Sequence, residues 1–410
     1  MMFKPSHHVL VGLEIGTAKI CAVVGQLTPQ GDLNIVGVGQ RPSRGVRKGE
    51  VVDQKLAHED IRLALHEAER MANLEIRSVF LGVTGAHLRG FNNRGRHHLP
   101  YGVSAITEAD VRDTVRNARA FKLPAGHELV HLIRQHFLVD GQPGVADPLG
   151  MPASQLELDV HIVHGLQSRL QLPVDLVEKL QLEVEEVVFN GLASSLAVLS
   201  PQEKQLGALV IDLGAGATEY VVYSEGIIKH TGVLAVGGDH VTNDLAYGLK
   251  VPLRLAEELK LTHGDALLTP EARGRVLTLP SENGLDARTL NLEHLRRVMS
   301  LRLEETFQII AEELESTRLL EYLRAGVVLC GGGSRVPNIE RLARRVFGLP
   351  VSFGRTKTIN SLPASLDQPE FATGIGLVRF GSFQVLKPRR RSGLASRLVR
   401  KIGGIFQPAS

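Results

Sequence analysis

Three glycine turns hold the side chains whose types and spacing could do chemistry. They are Gly12-Leu13-Glu14-Ile15-Gly16-Thr17 near the start, Asp212-Leu213-Gly214-Ala215-Gly216-Ala217-Thr218-Glu219 in the middle, and Gly331-Gly332-Gly333-Ser334 late. Each follows an apolar, β-rich run. The first two join a carboxylate, a tight backbone turn and a hydroxyl, the equipment for holding a phosphate chain and its magnesium from two sides. Glycine is needed where backbone amides approach phosphates, because a β-carbon would block the turn or the contact. Thr17 adds a hydroxyl, and Glu14 or Asp212 can hold Mg2+ through water. Lys19 is either a further phosphate partner or an exposed strand residue. Two such turns in matching contexts, with a third after a strand, imply a nucleotide clamp. The absence of a GxxxxGK[ST] segment disfavours a P-loop. The Gly214, Gly216 spacing lacks the third glycine and the following helix of a dinucleotide fingerprint.

These turns need strands to hold them. HVLVGLEIGTAKICAVVGQL reads as two β-rich runs around the first turn, and NIVGVGQ adds a third. Residues 54 to 73 show helical spacing, with Leu56, Ile61, Leu65, Ala68 and Met71 on one side. The strand SVFLGVTG ends near Gly85, after which the texture changes until about residue 165, as in an inserted small α/β domain. Residues 171 to 199 resume with a helix, a strand and the apolar helix GLASSLAVL. GALVIDLGAGATEYVVYSEGIIKHTGVL then repeats the opening order of strand, glycine turn and strand. Such internal similarity predicts an α/β protein of two duplicated lobes with nucleotide in the cleft between them.

At 410 residues the chain exceeds one hydrophobic core, and 43% hydrophobic with 22% charged residues fits a globular protein. Cys21 and Cys330 lie in apolar stretches and suggest a reducing cytoplasm. The pairs His7-His8 and His97-His98 alternate faces on a strand, which argues against zinc chelation. The net charge of +3 hides an uneven distribution, since eight basic residues and no acidic one follow Glu370. On a helix, Leu394, Ala395, Leu398, Val399, Ile402, Ile405 and Phe406 share one arc while Arg397, Arg400 and Lys401 lie opposite. This pattern suits an anionic membrane surface, the alternative being a helix packed on the protein body, which would not need so concentrated a cationic face. Nucleic acid is disfavoured because Phe406 is the tail's lone stacking group.

VGLEIGTAKI, PSRGVRKGEVVD, VFNGLASSLAVL, VIDLGAGATEYVVY, AEELKLTHG, VLCGGGSRVPNI and ATGIGLVRFG occur in the order seen in the FtsA family of bacterial cell-division proteins, which the chain resembles over nearly its whole length. The resemblance implies an actin-like ATPase fold with an inserted 1C-type domain and ATP with Mg2+ as ligands. Glu14, Gly16 and Thr17 then match the first phosphate loop. Asp212, Gly214, Ala215, Gly216 and Thr218 match the second, and Gly331, Gly332, Gly333, Ser334 and Arg335 the adenosine loop. Glu257 and Lys260 match ribose-facing positions, Asn190 a water-orienting one, and Glu14 and Asp212 the magnesium side. Arg302 falls where the family receives the C-terminal peptide of FtsZ. The family's usual GGGT reads Gly214-Ala215-Gly216-Ala217 here, and Glu219 replaces the usual aspartate, so ATP binding with at most slow hydrolysis is expected.

The implied division of the chain is lobe 1 (1A) over 8–84, 166–199 and 359–386, with the inserted domain at 85–165. Lobe 2 (2A) covers 200–245 and 323–358, with subdomain 2B at 246–322. A basic tether spans 387–391 and a membrane-targeting helix 392–407. Through Leu394, Arg397, Leu398, Arg400, Lys401, Ile402, Ile405 and Phe406 the helix would grip anionic lipids at the cytoplasmic face of the inner membrane. One such helix is marginal alone, so polymerisation with other copies should stabilise attachment. Late division proteins would meet the inserted domain. The rival readings are a pilus-assembly relative, a small-molecule kinase of the same fold and a chaperone-like ATPase.

Overall fold

Runs of Val, Ile and Leu broken by glycine turns build two five-stranded sheets of the same connectivity. The computed structural model describes residues 8–100, 104–279, 288–357, 359, 362 and 365–386, with the backbone of 405–406. Lobe 1 opens with β1 (His8–Ile15), β2 (Lys19–Leu27) and β3 (Leu33–Pro42), an antiparallel meander. Helix α1 (Gln54–Ala72) leads to β4 (Ser78–Val83), which pairs parallel with β1. Asp53 caps α1 by accepting from the amides of Lys55 and Leu56, and Asn73 ends it in the left-handed region. Ile61, Leu65 and Ala68 are buried as the spacing predicts, but Met71 is 58% exposed, its sulfur accepting from the Val38 amide of the edge strand β3 at 3.3 Å.

The inserted domain is built around β5 (Arg89–His98), α2 (Glu108–Ala118), β6 (His127–Val139) and β7 (Gln155–Leu166), with β7 between β5 and β6 and the short strand Gln142–Val145 on the far side of β6. Lobe 1 resumes with α3 (Gln167–Glu178), β8 (Glu183–Phe189) and α4 (Asn190–Val198), and α5 (Pro201–Leu206) follows. Its sheet order is β8-β4-β1-β2-β3.

Lobe 2 repeats that order as β13-β12-β9-β10-β11, from β9 (Ala208–Leu213), β10 (Thr218–Ser224), β11 (Ile227–Leu234), β12 (Gly326–Cys330) and β13 (Val351–Phe353). Between β11 and β12 run α6 (Gly238–Leu249), α7 (Leu253–His263) and α8 (Leu292–Ser316). The loop expected around 280–286 lies outside the described residues. After β12 come α9 (Ile339–Phe347) and α10 (Ala372–Leu386). The inserted domain braces the outer strand of lobe 2. Asn92 Nδ2 and Gln135 Nε2 donate to the carbonyls of Lys229 (3.0 Å) and Ile228 (2.7 Å).

Helix α10 is apolar nearly all round because it is buried beside α4, against β1, β2 and β4. A β-carbon on Gly376 would stand 1.8 Å from the Ala193 carbonyl of α4. Gly376→Ala is therefore expected to cost about 3 kcal/mol through overpacking, read as a lowered midpoint in urea unfolding.

Most of the expected terminal helix, including Leu394, Arg397, Leu398, Arg400, Lys401 and Ile402, lies outside the described residues. Ile405 and Phe406 do not continue it. They form a two-residue strand pairing parallel with Leu132 and Ile133 of β6. Gly403 and Gly404 just before them disfavour helix, and the β6 edge offers unpaired backbone groups.

Candidate functional site

The two phosphate-loop candidates are built alike. In lobe 1 the Gly16 amide donates to the Lys19 carbonyl at 3.0 Å, and in lobe 2 the Gly214 amide donates to the Ala217 carbonyl at 3.0 Å. A β-carbon on either glycine would sit 2.7 Å from that carbonyl, so both turns require glycine for the same steric reason. They face each other across the cleft. A β-carbon on Gly216 would lie 2.3 Å from Thr17 Oγ1 and 2.7 Å from the Lys48 Cα. Thr17 Oγ1 also accepts from the Gly49 amide at 2.8 Å, which ties the 45–50 segment to the first loop.

Three carboxylates converge where the loops meet. Glu14 Oε2 is shielded from solvent and has no hydrogen-bond partner. Burial pushes its carboxyl up to about 7, against the pull of Lys19, with Asp212 adding to the rise. Asp212 is also raised by burial, although Thr373 Oγ1 donates to its Oδ2 at 2.9 Å. Glu219 is pushed up to about 8, first by burial and then by the charge of Asp212. Its Oε1 accepts from the Thr84 hydroxyl of lobe 1, so this bond crosses the cleft. Asn190, the first residue of α4, has its buried Oδ1 without a partner. A carboxylate oxygen and an amide oxygen, both desolvated and unmatched, suit a hydrated cation and an oriented water.

The third turn lies against the second, since a β-carbon on Gly331 would be 2.3 Å from Asp212 Oδ1 and one on Gly333 would be 2.9 Å from Leu213. The φ of +79° at Gly331 favours glycine independently. Gly332 faces open space. Ser334 Oγ closes the turn on the Gly331 carbonyl at 2.7 Å, while Arg335 pairs with Glu370 at 2.6 Å.

Other expected residues have structural partners. Lys19 Nζ donates to the Glu370 carbonyl and lies 4.4 Å from the centre of the Phe371 ring. The Thr218 hydroxyl donates to the Val236 carbonyl at 2.8 Å. Glu257 and Lys260 form an ion pair at 2.6 Å, and Lys260 Nζ reaches the Gly238 carbonyl at 3.2 Å. That carbonyl belongs to a segment sequence reasoning missed. The amides of Gly238 and Asp239 donate to the carbonyls of Gly214 (3.0 Å) and Ala215 (2.8 Å), fastening the start of α6 to the second loop. A Gly-Gly pair opening a helix was the available signal. Glu219 was likewise noted only as a replacement, although its buried position across from Thr84 makes it a site residue.

A second feature lies on lobe 2, away from the cleft. Leu267, Leu268, Arg297, Ser300, Leu301, Glu304 and Arg345 line a groove of about 270 Å³. Leu301 is 62% exposed and Leu268 44%. Arg302, the expected peptide contact, spends its guanidinium on Asp244 and Glu305.

A family model described as cell division protein FtsA matches residues 209–376, and one for the SHS2 domain inserted in FtsA matches residues 85–164. Cell division protein FtsA of Pseudomonas aeruginosa is 35% identical over 376 residues, covering 92% of this chain and 90% of the relative. FtsA of Escherichia coli is 34% identical over 388 residues, covering 93% and 92%. Among solved structures, the PilM–PilN type IV pilus biogenesis complex aligns with a TM-score of 0.64 at 18% identity, covering 91% and 98%. MreB5 of Spiroplasma citri bound to ADP aligns at 0.55 and 15% identity, covering 94% and 99%. The fold is actin-like, with the inserted domain placed in lobe 1.

Proposed function

From the premise that this chain belongs to the FtsA family of cell-division proteins, we propose that it binds Mg2+–ATP between its lobes, polymerises at the cytoplasmic membrane and holds FtsZ filaments there. The observation that carries the nucleotide reading is the mirrored pair of glycine turns meeting at Thr17 and Gly216, with Glu14 Oε2 unmatched beside them. Gly16, Thr17, Gly214, Ala215 and Gly216 cradle the phosphates, and the start of α6 supports the second loop. Glu14 and Asp212 hold the hydrated Mg2+, whose charge relieves three crowded carboxylates. Gly331 to Ser334 line the adenosine side, and the Glu257–Lys260 pair borders the ribose. Asn190 orients the attacking water, and Glu219, ionised once a bound Mg2+ offsets the charge of Asp212, stands beside it to receive the proton. The methyl of Ala217 offers no hydroxyl at its position, which keeps hydrolysis slow.

The groove beside Leu301 seats the C-terminal peptide of FtsZ. Its exposed leucines take apolar side chains, while Arg297 and Arg345, half-exposed and paired with Glu293 at 3.0 Å and Glu304 at 3.1 Å, exchange those surface partners for acidic side chains of the peptide. Arg302 braces the same helix through Asp244. Leu301→Asp is expected to weaken binding of an acidic, apolar FtsZ tail peptide at least about tenfold in a fluorescence-anisotropy titration. Membrane attachment uses the basic amphipathic stretch from Leu394 to Ile402, at the inner face of the membrane. Among the described residues no helix is long and apolar enough to cross a bilayer. The inserted domain is left to meet later division proteins.

Cosedimentation tests the whole reading. The full chain with ATP should bring FtsZ down with acidic vesicles, and removal of residues 392–410 should leave FtsZ in the supernatant. FtsZ pelleting equally without that segment would overturn the anchoring role.

A further inference from the structure

Arg379 on the closing helix of lobe 1 and Lys204 on α5, at the start of lobe 2, are cations that the nucleotide site does not use. Arg379, on α10, has a buried Nε with no hydrogen-bond partner, and its guanidinium carbon stands 4.6 Å from the centre of the Phe383 ring. Lys204, on α5, places its Nζ 5.2 Å from the centre of the Tyr223 ring. The two sit close enough that the charge of Arg379 opposes protonation of Lys204, adding to the effect of burial, and the amine falls to about 8. Burial also lowers Arg379. Neither has an ion-pair partner among the described residues. Glu203, whose charge acts on Lys204, is held by Lys357 at 2.6 Å and by the Ser200 amide at 2.9 Å.

Two like charges that feel one another, each set over an aromatic ring and without an ion-pair partner among the described residues, oppose folding unless an anion joins them. The place in the fold suggests which anion. Arg379, Phe383 and Leu386 follow at i, i+4 and i+7 and so share a face of α10. Val385 and Leu386 are exposed at 38% and 53%, at the point where the helix hands over to the basic tether. A cationic pair, an exposed apolar helix end and a positively charged chain leaving from it form a surface that fits a bilayer interface.

We propose that Lys204 and Arg379 form a seat for the phosphate of an anionic phospholipid headgroup, where α5 meets the helix α10 from which the tail departs. Arg379 supplies directional donors and Lys204 a point charge, the usual division of labour around a phosphate. The seat fixes which side of the body faces the membrane, whereas the tail alone leaves the body free to turn. This rests on the membrane reading above.

Vesicle flotation of the full-length chain tests it. On vesicles of phosphatidylglycerol in phosphatidylcholine, Lys204→Met and Arg379→Met should each weaken partitioning about fivefold, and the double variant about twenty-five-fold. Nucleotide binding should stay as in the natural chain, and the lipid-free unfolding midpoint should not fall, since each substitution removes one of two opposed charges. A readout on folded, unsubstituted protein accompanies it. Partitioning should fall as pH rises through the titration of Lys204, whose facing charges are Arg379 and Glu203, and should stay flat in Lys204→Arg. If the natural chain ignores anionic vesicles, both the seat and the membrane reading fall. If it floats and the double variant floats equally well, this seat alone is overturned. If inorganic phosphate binds the pair as tightly as lipid does, the headgroup assignment is overturned in favour of a soluble anion.

Discussion

Gly216→Val is expected to weaken binding of a fluorescent ATP analogue by at least about a hundredfold, the equivalent of roughly 3 kcal/mol. The position sits on the lobe 2 side of the seam, and an added β-carbon meets Thr17 Oγ1 at 2.3 Å and the Lys48 backbone at 2.7 and 2.8 Å, all on lobe 1. Backbone cannot swing aside as a flexible side chain could, so the branched side chain wedges the lobes apart just where the phosphate loops must approach. The clash lies between the lobes and not inside either sheet, so the cores special to each lobe are kept, while the cluster that joins them, with Val23 and Phe380 on one side and Val210 and Val328 on the other, takes the strain. The substituted protein should therefore retain its circular dichroism, with a modestly lowered unfolding midpoint, while losing ATP-dependent pelleting. Affinity within threefold of the natural chain would mean that the two glycine turns do not grip one ligand.

The features legible in the sequence are those written in local pattern. The repeated order of strand, glycine turn and strand announced two lobes, and the turns around Gly16 and Gly214 came out with matching hydrogen bonds. The change of texture at Gly85 marked the inserted sheet. Less legible were features that depend on what a side chain meets across the fold. Lys19 and Thr218 have the right chemistry for phosphate, but the Glu370 and Val236 carbonyls engage their donors, and both partners are invisible to local spacing. Arg302 looked available on a charged helix, whereas Asp244, far off in sequence, occupies it. The neighbouring groove escaped notice because it takes residues from the segment at 267–268, from α8 and from α9. The helical arc drawn through Ile405 and Phe406 failed for a different reason. Amphipathic spacing cannot weigh a preceding Gly403-Gly404 pair against an open strand edge.

Glu219→Gln is expected to stabilise the nucleotide-free protein at pH 8 and to depress ATP turnover about a hundredfold. Burial holds the Glu219 carboxyl at about 8 and that of Glu14 at about 7, against 4.5 for an ordinary glutamate. Below about 4.5 both the folded and unfolded chains carry these protons, and the groups contribute nothing to the balance. As pH rises from there to about 8, the unfolded chain releases protons that the folded chain keeps, so stability falls with rising pH and levels off once Glu219 ionises in both states. One pKa unit corresponds to about 1.4 kcal/mol, so Glu219 alone contributes on the order of 3 to 5 kcal/mol of this loss. The amide retains a partner for Thr84 without the charge, and the fall should shrink accordingly in a series of thermal melts from pH 5 to 8.5. Saturating Mg2+–ATP should flatten the same curve in the natural chain, because a cation beside Glu14 and Asp212 favours their ionised forms. A natural chain whose melting temperature is level across that range without nucleotide would show that the three carboxylates are not crowded as described. A Glu219→Gln protein that turns over ATP at the natural rate would assign proton transfer to water instead.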